Sequence, residues 1–164
     1  MAKTAVIGAG SWGIALAKVL HTNGQEVTVW SIVKEEIAML KEKHEHTEKL
    51  PGVKLPEDMI FTTDLEEAVA GKDYLILAVP SVFTRSTAKS MAPFVKEGQV
   101  IVCVAKGIEE ETLMTLSDIV EQEIPAASVA VMCGPSHAEE VGIGLPTTVV
   151  SGARKRSVAE GVQD

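Results

Sequence analysis

Three short stretches of this chain hold residue types that suit chemistry. The first, Gly8-Ala9-Gly10-Ser11-Trp12-Gly13, has the G-x-G-x-x-G spacing. The apolar run Ala5-Val6-Ile7 precedes it and a helix-forming run, Ile14 to Leu20, follows. That strand-before, helix-after setting gives the spacing its physical meaning. Gly8 allows a tight turn, Gly10 lets a pyrophosphate approach the backbone, and Gly13 lets the helix lie close to the strand. The free N–H groups and positive dipole end of the helix's first turn then hold phosphate oxygens. This predicts dinucleotide binding, against the competing reading of a plain glycine turn in another α/β protein.

The second stretch is Lys106-Gly107, where the run Val100 to Ala105 stops. A lysine there can set a point charge on a phosphate, a hydroxyl or a nicotinamide-side group; otherwise it is a surface lysine whose stem covers apolar area. The third is Gly134-Pro135-Ser136-His137, followed by the helix-like Ala138-Glu139-Glu140. Ser136 is expected to cap that helix, and the amides beyond it to form a second anion-binding start. Nothing nearby in sequence orients His137, so no role is assigned to it. The acidic triplet Glu109-Glu110-Glu111 reads as a helix N-terminus, which favours negative charge. A ribose reader is expected just after the second strand, a carboxylate for NAD or an arginine for NADP. The chain offers Ser31-Ile32-Val33-Lys34, then Glu35 and Glu36. Neither rule is met cleanly; Ser31 and Lys34 tilt the choice narrowly towards NADP.

These stretches need elements to position them. Strands are expected at Ala5–Ile7, Glu26–Trp30, Met59–Thr62, Tyr74–Val79, Val100–Ala105, Val129–Met132 and Thr147–Ser151. Helical runs lie at Ile14–His21, Lys34–His44, from an Asp64 N-cap to Gly71, from Pro80-Ser81 to Met91, Glu110–Glu123 and Arg154–Val162, while Leu50–Pro56 reads as a loop. Strand and helix alternate without a hairpin signal, and YLILAV and VIVCVA suit strands buried on both faces. The expected fold is therefore α/β, a doubly wound, mostly parallel sheet of the Rossmann type. Ligands of such sheets sit beyond the carboxyl ends of the strands. The glycine loop, Ser31-Ile32, Pro80-Ser81, Lys106-Gly107 and Gly134-Pro135-Ser136 should converge on one cleft.

A chain of 164 residues is long enough for one domain with a real core, here a single dinucleotide-binding domain over 1–164. A net charge of −8 argues against nucleic acid, which needs clustered Lys and Arg. It leaves room for a small phosphorylated ligand held by one lysine and a few amides. The apolar runs are strand-sized, so no membrane span is expected, and the first strand begins too early for a signal peptide. Cys103 and Cys133 both lie in apolar runs and read as buried thiols of a cytoplasmic protein. His44-Glu45-His46, amid Lys and Glu, reads as a solvated surface rather than a metal pair.

Together GAGSWG, VTVW, AVPS (Ala78 to Ser81), AKGIE (Ala105 to Glu109) and GPSHAEEV (Gly134 to Val141) resemble, in order and spacing, the N-terminal domain of bacterial NAD(P)-dependent sn-glycerol-3-phosphate dehydrogenases. HTEKLPGVKLP (His46 to Pro56) is similar to a loop of some members. The resemblance covers essentially the whole chain. It implies an oxidoreductase that interconverts dihydroxyacetone phosphate and sn-glycerol 3-phosphate with NAD(P)H and so supplies the phospholipid backbone. By position it implies that Ser11, Trp12 and Ala138 contact the cofactor, that Lys106 contacts cofactor and substrate, and that Gly134 and Ser136 line the substrate site. Ile32-Val33 departs from the His-Arg or similar basic pair with which many members grip a 2′-phosphate. The resemblance also places the catalytic lysine in a helical C-terminal domain beyond Asp164, together with a last strand of the dinucleotide domain. No catalytic residue is then expected in this chain, which reads as a fragment inactive alone and, when intact, as a possible homodimer. The alternatives are a free-standing nucleotide-binding or redox-sensing module, and another dehydrogenase of the same architecture.

Overall fold

The computed structural model describes residues 1–163. In chain order the elements are β1 (Lys3–Ile7), α1 (Ser11–Thr22), β2 (Glu26–Trp30), α2 (Lys34–Lys43), β3 (Ile60–Thr62), α3 (Leu65–Val69) and β4 (Tyr74–Leu77). Then come α4 (Thr84–Met91), β5 (Val100–Cys103), α5 (Leu116–Glu123), β6 (Ser128–Cys133), α6 (Ala138–Gly142), β7 (Val150–Ala153) and α7 (Arg156–Gln163). The strands form one sheet in the order β3-β2-β1-β4-β5-β6-β7. All neighbours run parallel except β7, which is antiparallel to β6. The order in which strands are added reverses between β1 and β4, with β2 and β3 laid on one side and β5 to β7 on the other, which is the switch point where such folds bind ligands.

Period-two alternation divides the central strands between two cores. Val6, Ile76 and Val102 face a layer that includes Ile14 and Ala17 of α1, Ile37 and Leu40 of α2, and Ala138 of α6. Ala5, Ile7, Leu75, Leu77, Ile101 and Cys103 face the opposite layer, with Ala68 of α3, Met91 of α4 and Val120 of α5. Both faces being covered is why these strands read as uninterrupted apolar runs.

Register aims the strand ends. Ile7 pairs with Trp30 and Leu77, and Leu77 pairs with Cys103, so three neighbouring strands and β5 stop in one row. Their loops leave the sheet along the same edge. β4 and β5 stop at Leu77 and Cys103, two residues before the apolar runs end, although Val79 and Val104 remain buried beyond them.

Several expectations are corrected. α1 starts at Ser11, not Ile14, because Gly10 is its N-cap. The helix expected from Glu110 starts only at Leu116, where the Thr115 hydroxyl accepts the Asp118 N–H at 3.3 Å. Residues 108–115 instead form a loop closed by an antiparallel bridge between Ile108 and Thr115, with Leu113 at φ 58°. Glu109-Glu110-Glu111 therefore caps no helix; Glu109 is drawn to Arg85 instead. β7 lies at Val150–Ala153 rather than Thr147–Ser151, because Cys133 at the end of β6 pairs with Val150. α7 begins two residues later than expected, at Arg156. Cys133 is exposed, unlike Cys103, because it ends β6 outside both cores. His46 is fully buried rather than solvated: the loop after α2 folds back and inserts Leu50, Val53 and Leu55 into the core under α1.

Candidate functional site

The tightest constraint in the chain is the glycine loop. The Gly8 N–H donates to the Trp30 carbonyl at 2.9 Å, which binds the turn to the end of β2. Gly8 has φ 122°, and a Cβ on it would lie 2.8 Å from the Ala78 carbonyl oxygen. A Cβ on Gly13 would lie 2.1 Å from the Gly8 carbonyl oxygen, so α1 presses directly on the turn. A Cβ on Gly10 would meet nothing within 4 Å. The first and third glycines are thus filled positions and the second faces open space at the start of a 12-residue helix with no side-chain cap. The first-turn N–H groups of such a helix lack intrahelical partners, so the loop suits a phosphate in the way the spacing predicts.

A cleft of about 380 Å³ opens there. It is lined by Gly10, Ser11 and Trp12 from the glycine loop, Ala78 to Ser81 after β4, Val104 to Lys106 after β5, and Ser136 to Glu139 at the start of α6. Four strand-end segments therefore meet, as the register requires. Lys106 is exposed and makes no ion pair among the described residues. A larger cavity of about 620 Å³ lies against the sheet between Leu16, Ile76, Val102 and Val162. Its lining contains no titratable side chain, whereas the smaller cleft holds Lys106, His137 and Glu139.

Of the residues singled out in the sequence, Gly10, Ser11, Trp12, Lys106, Ser136 and Ala138 share this cleft. Gly8 and Gly13 shape it from beneath. Gly134 does not line it; a Cβ there would fall 2.7 Å from the Thr148 carbonyl oxygen, so this glycine admits the segment before β7. Ser136 is not the N-cap of α6. His137 holds that position without a side-chain cap, and the Ser136 hydroxyl turns back to the Gly134 carbonyl at 3.4 Å. α6 is only five residues long and is braced on α1, where Lys18 Nζ donates to the Gly142 carbonyl at 2.9 Å. Ser31 and Ile32 lie outside the cleft, beside the glycine loop at the end of β2.

Two groups of residues near the site were not anticipated. Arg85 on α4 donates from Nε and Nη2 to the two Glu109 oxygens at 2.7 and 2.6 Å, and from Nη1 to Gln122 at 2.9 Å and to Glu123. This clasp ties the loop after Lys106 to α4 and α5. The Arg85 hydrogen bonds, with that of Thr112, hold the Glu109 carboxyl at about 2, against the weaker opposing effect of burial. Their only trace in the sequence is a cation and two acids of suitable type, far apart in the chain. The second group is Glu36, His46 and Lys49 around Ser31. Here burial raises the Glu36 pKa, but hydrogen bonds from Lys49 and Ser31 outweigh it and leave the carboxyl below its ordinary value.

A family model described as the N-terminus of NAD-dependent glycerol-3-phosphate dehydrogenase matches residues 3–159. Over all 164 residues the chain is 71% identical to a glycerol-3-phosphate dehydrogenase (NAD(P)+) of Agathobacter rectalis, covering 49% of that protein. It is 51% identical to the enzyme of the same name from Fusobacterium nucleatum over 96% of this chain and 48% of the relative. The crystal structure of glycerol-3-phosphate dehydrogenase from Coxiella burnetii superposes with a TM-score of 0.92 at 29% identity, covering 98% of this chain and 49% of that one. The chain spans about half the length of the curated relatives it matches.

Proposed function

Because the chain belongs to the family of NAD-dependent glycerol-3-phosphate dehydrogenase N-termini, we propose that it is the cofactor-binding half of an enzyme interconverting dihydroxyacetone phosphate and sn-glycerol 3-phosphate. The observation that carries this reading is the open space at Gly10, in one cleft with an exposed lysine that makes no ion pair among the described residues. A nicotinamide cofactor supplies the hydride in this reading. The protein's part is to hold and orient. The N–H groups of Ser11 and Trp12 at the head of α1 receive the pyrophosphate, and Trp12 and the buried Ala138 form the apolar wall beside it. Lys106, which makes no ion pair among the described residues, offers its ammonium to the substrate's phosphate or carbonyl oxygen, and Ser136 adds a hydroxyl. Gly134 supports this wall from behind. The groups that complete catalysis belong to the half of the relatives' length that this sequence does not match.

No helix among the described residues is long and apolar enough to cross a membrane, and both cysteines are free thiols. A cytoplasmic enzyme suits both features, and a homodimer of the intact protein is part of the reading, checked by sedimentation. Titration calorimetry of the full-length protein with NADH and NADPH tests the core of the proposal; binding of neither overturns it. Lys106→Ala should lower kcat/KM for dihydroxyacetone phosphate by roughly 10²-fold or more with unchanged circular dichroism. Unaltered kinetics would remove Lys106 from the site.

A further inference from the structure

Lys106 stands in a short arch of chain that is fixed at both ends. Upstream, Val104 is 2% exposed and its N–H donates to the Leu77 carbonyl at 3.2 Å, which holds the end of β5 against β4. Downstream, Glu109 is the node of the 108–115 loop. Its N–H donates to the Met114 carbonyl at 3.0 Å, and its own carbonyl accepts the Leu113 N–H at 2.9 Å. Those bonds, with the bridge between Ile108 and Thr115, close the loop on itself and on the start of α5. The tie to α4 is the Glu109 carboxylate, on which Arg85 sets Nε and Nη2 at 2.7 and 2.6 Å. A planar, two-pronged contact of this kind resists rotation as well as separation. Gly107, at φ 132°, lies so close to the segment after β4 that a Cβ on it would meet Ser81 Oγ at 3.1 Å. Ser81 and Lys106 line the same cleft, so the arch is drawn onto the cleft's β4 wall. Lys106 itself is exposed and makes no ion pair among the described residues, so its backbone sets where the ammonium can reach.

We propose that Arg85 and Glu109 are positioning residues for Lys106: the clasp between them holds the arch so that the Lys106 ammonium meets the substrate oxygen it acts on. The inference rests on the placing of Lys106 at the substrate in the reading above. A lysine is a point charge on a flexible four-carbon stem. Such a charge stabilises a developing oxyanion without reorganisation only where it already stands in place. Freeing the downstream end of the arch lets the ammonium sample positions away from the substrate. The donors of Arg85 give the clasp two separable legs. Nε and Nη2 hold Glu109 in the loop, whereas Nη1 reaches Gln122 at 2.9 Å and Glu123 on α5. The second leg ties helix to helix, and the first fixes the segment that carries Lys106. With its carboxyl held at about 2 by Arg85 and Thr112, Glu109 stays ionised near neutral pH and the clasp stays closed there.

The test is steady-state reduction of dihydroxyacetone phosphate by the full-length protein with the nicotinamide cofactor saturating. Glu109→Ala removes the loop leg, leaves Arg85 on Gln122 and Glu123, and should lower kcat/KM by roughly tenfold or more. Glu123→Ala weakens the other leg and should change kcat/KM by roughly twofold or less. In a Lys106→Ala background, Glu109→Ala should again cost roughly twofold or less, because the group it positions is gone. Thermal melting of each variant checks the fold. Should Glu109→Ala fail to fold, Arg85→Lys, which keeps the charge and gives up the two-pronged contact, makes the same comparison across the two backgrounds. Equal losses in both backgrounds, or a loss in Glu123→Ala as large as in Glu109→Ala, overturn the inference. Kinetics unmoved by Glu109→Ala while Lys106→Ala is impaired also overturn it, and leave the placing of Lys106 standing. Unaltered kinetics in Lys106→Ala overturn both.

Discussion

At the scale of single residues, environment separates groups that look alike in the chain. Cys103 and Cys133 both sit in apolar runs, yet only Cys103 points into a core. Burial, with a smaller contribution from the Glu121 charge, pushes its thiol up to about 12. In the folded protein one thiol should therefore react with a disulfide reagent at pH 8 and the second only on unfolding; two fast thiols would contradict the burial of Cys103. Gly13 is the converse case, a residue whose importance is visible in the spacing. Any side chain there runs into the Gly8 carbonyl at 2.1 Å. Gly13→Ala should destabilise the fold by about 2 kcal/mol or more, read from urea denaturation, and lose the cofactor with it. The functions of Gly8, Gly10 and Gly13 were legible because they follow from local geometry. The setting of Glu36 was not, since its partners His46 and Lys49 come from a loop whose return path no local pattern announces.

At the scale of elements, caps and long-range pairs compete for the same residues. Three consecutive acids near Gly107 suit a helix start, but Thr115 and Asp118 form a true N-cap five residues further on. Arg85 then holds Glu109 in a loop. A carboxyl whose pKa is lowered on folding stabilises the native state above its unfolded value and loses that contribution as pH falls through the folded one. For Glu109 the window runs from the ordinary 4.5 down to about 2. The clasp is therefore complete at pH 7. Amide protection of residues 108–115, corrected for intrinsic exchange, should fall across that window, and Glu109→Gln should flatten the fall. Protection that does not change between these pH values would mean the loop is held by other contacts. The strand lengths show the same competition: YLILAV and VIVCVA are apolar to their ends, but the ladder stops at Leu77 and Cys103 so that the chain can turn towards the cleft.

For the whole molecule, two apolar layers on one sheet decide stability, and register decides where chemistry is possible. Ile101, fully buried in the middle of β5, belongs to the layer that also holds Ile7 and Leu77. Ile101→Ala should cost about 2–5 kcal/mol in global unfolding, measured by urea titration; a value near zero would mean that the layer can collapse around the loss. Taken alone, the sequence determined the alternation of strands and helices, the doubly wound class, the glycine loop and the family resemblance. These depend on side-chain periodicity and on contacts within a few residues. Only the tertiary structure decided that Lys106, Ser136 and Trp12 share one cleft while Ser31 stands outside it, and that Gly134 serves packing. It also decided that β7 turns back against β6 and that His46 is buried against Glu36. Those outcomes depend on strand order, on register and on where a loop returns, and each is fixed by contacts between residues far apart in the chain, which a local pattern does not encode.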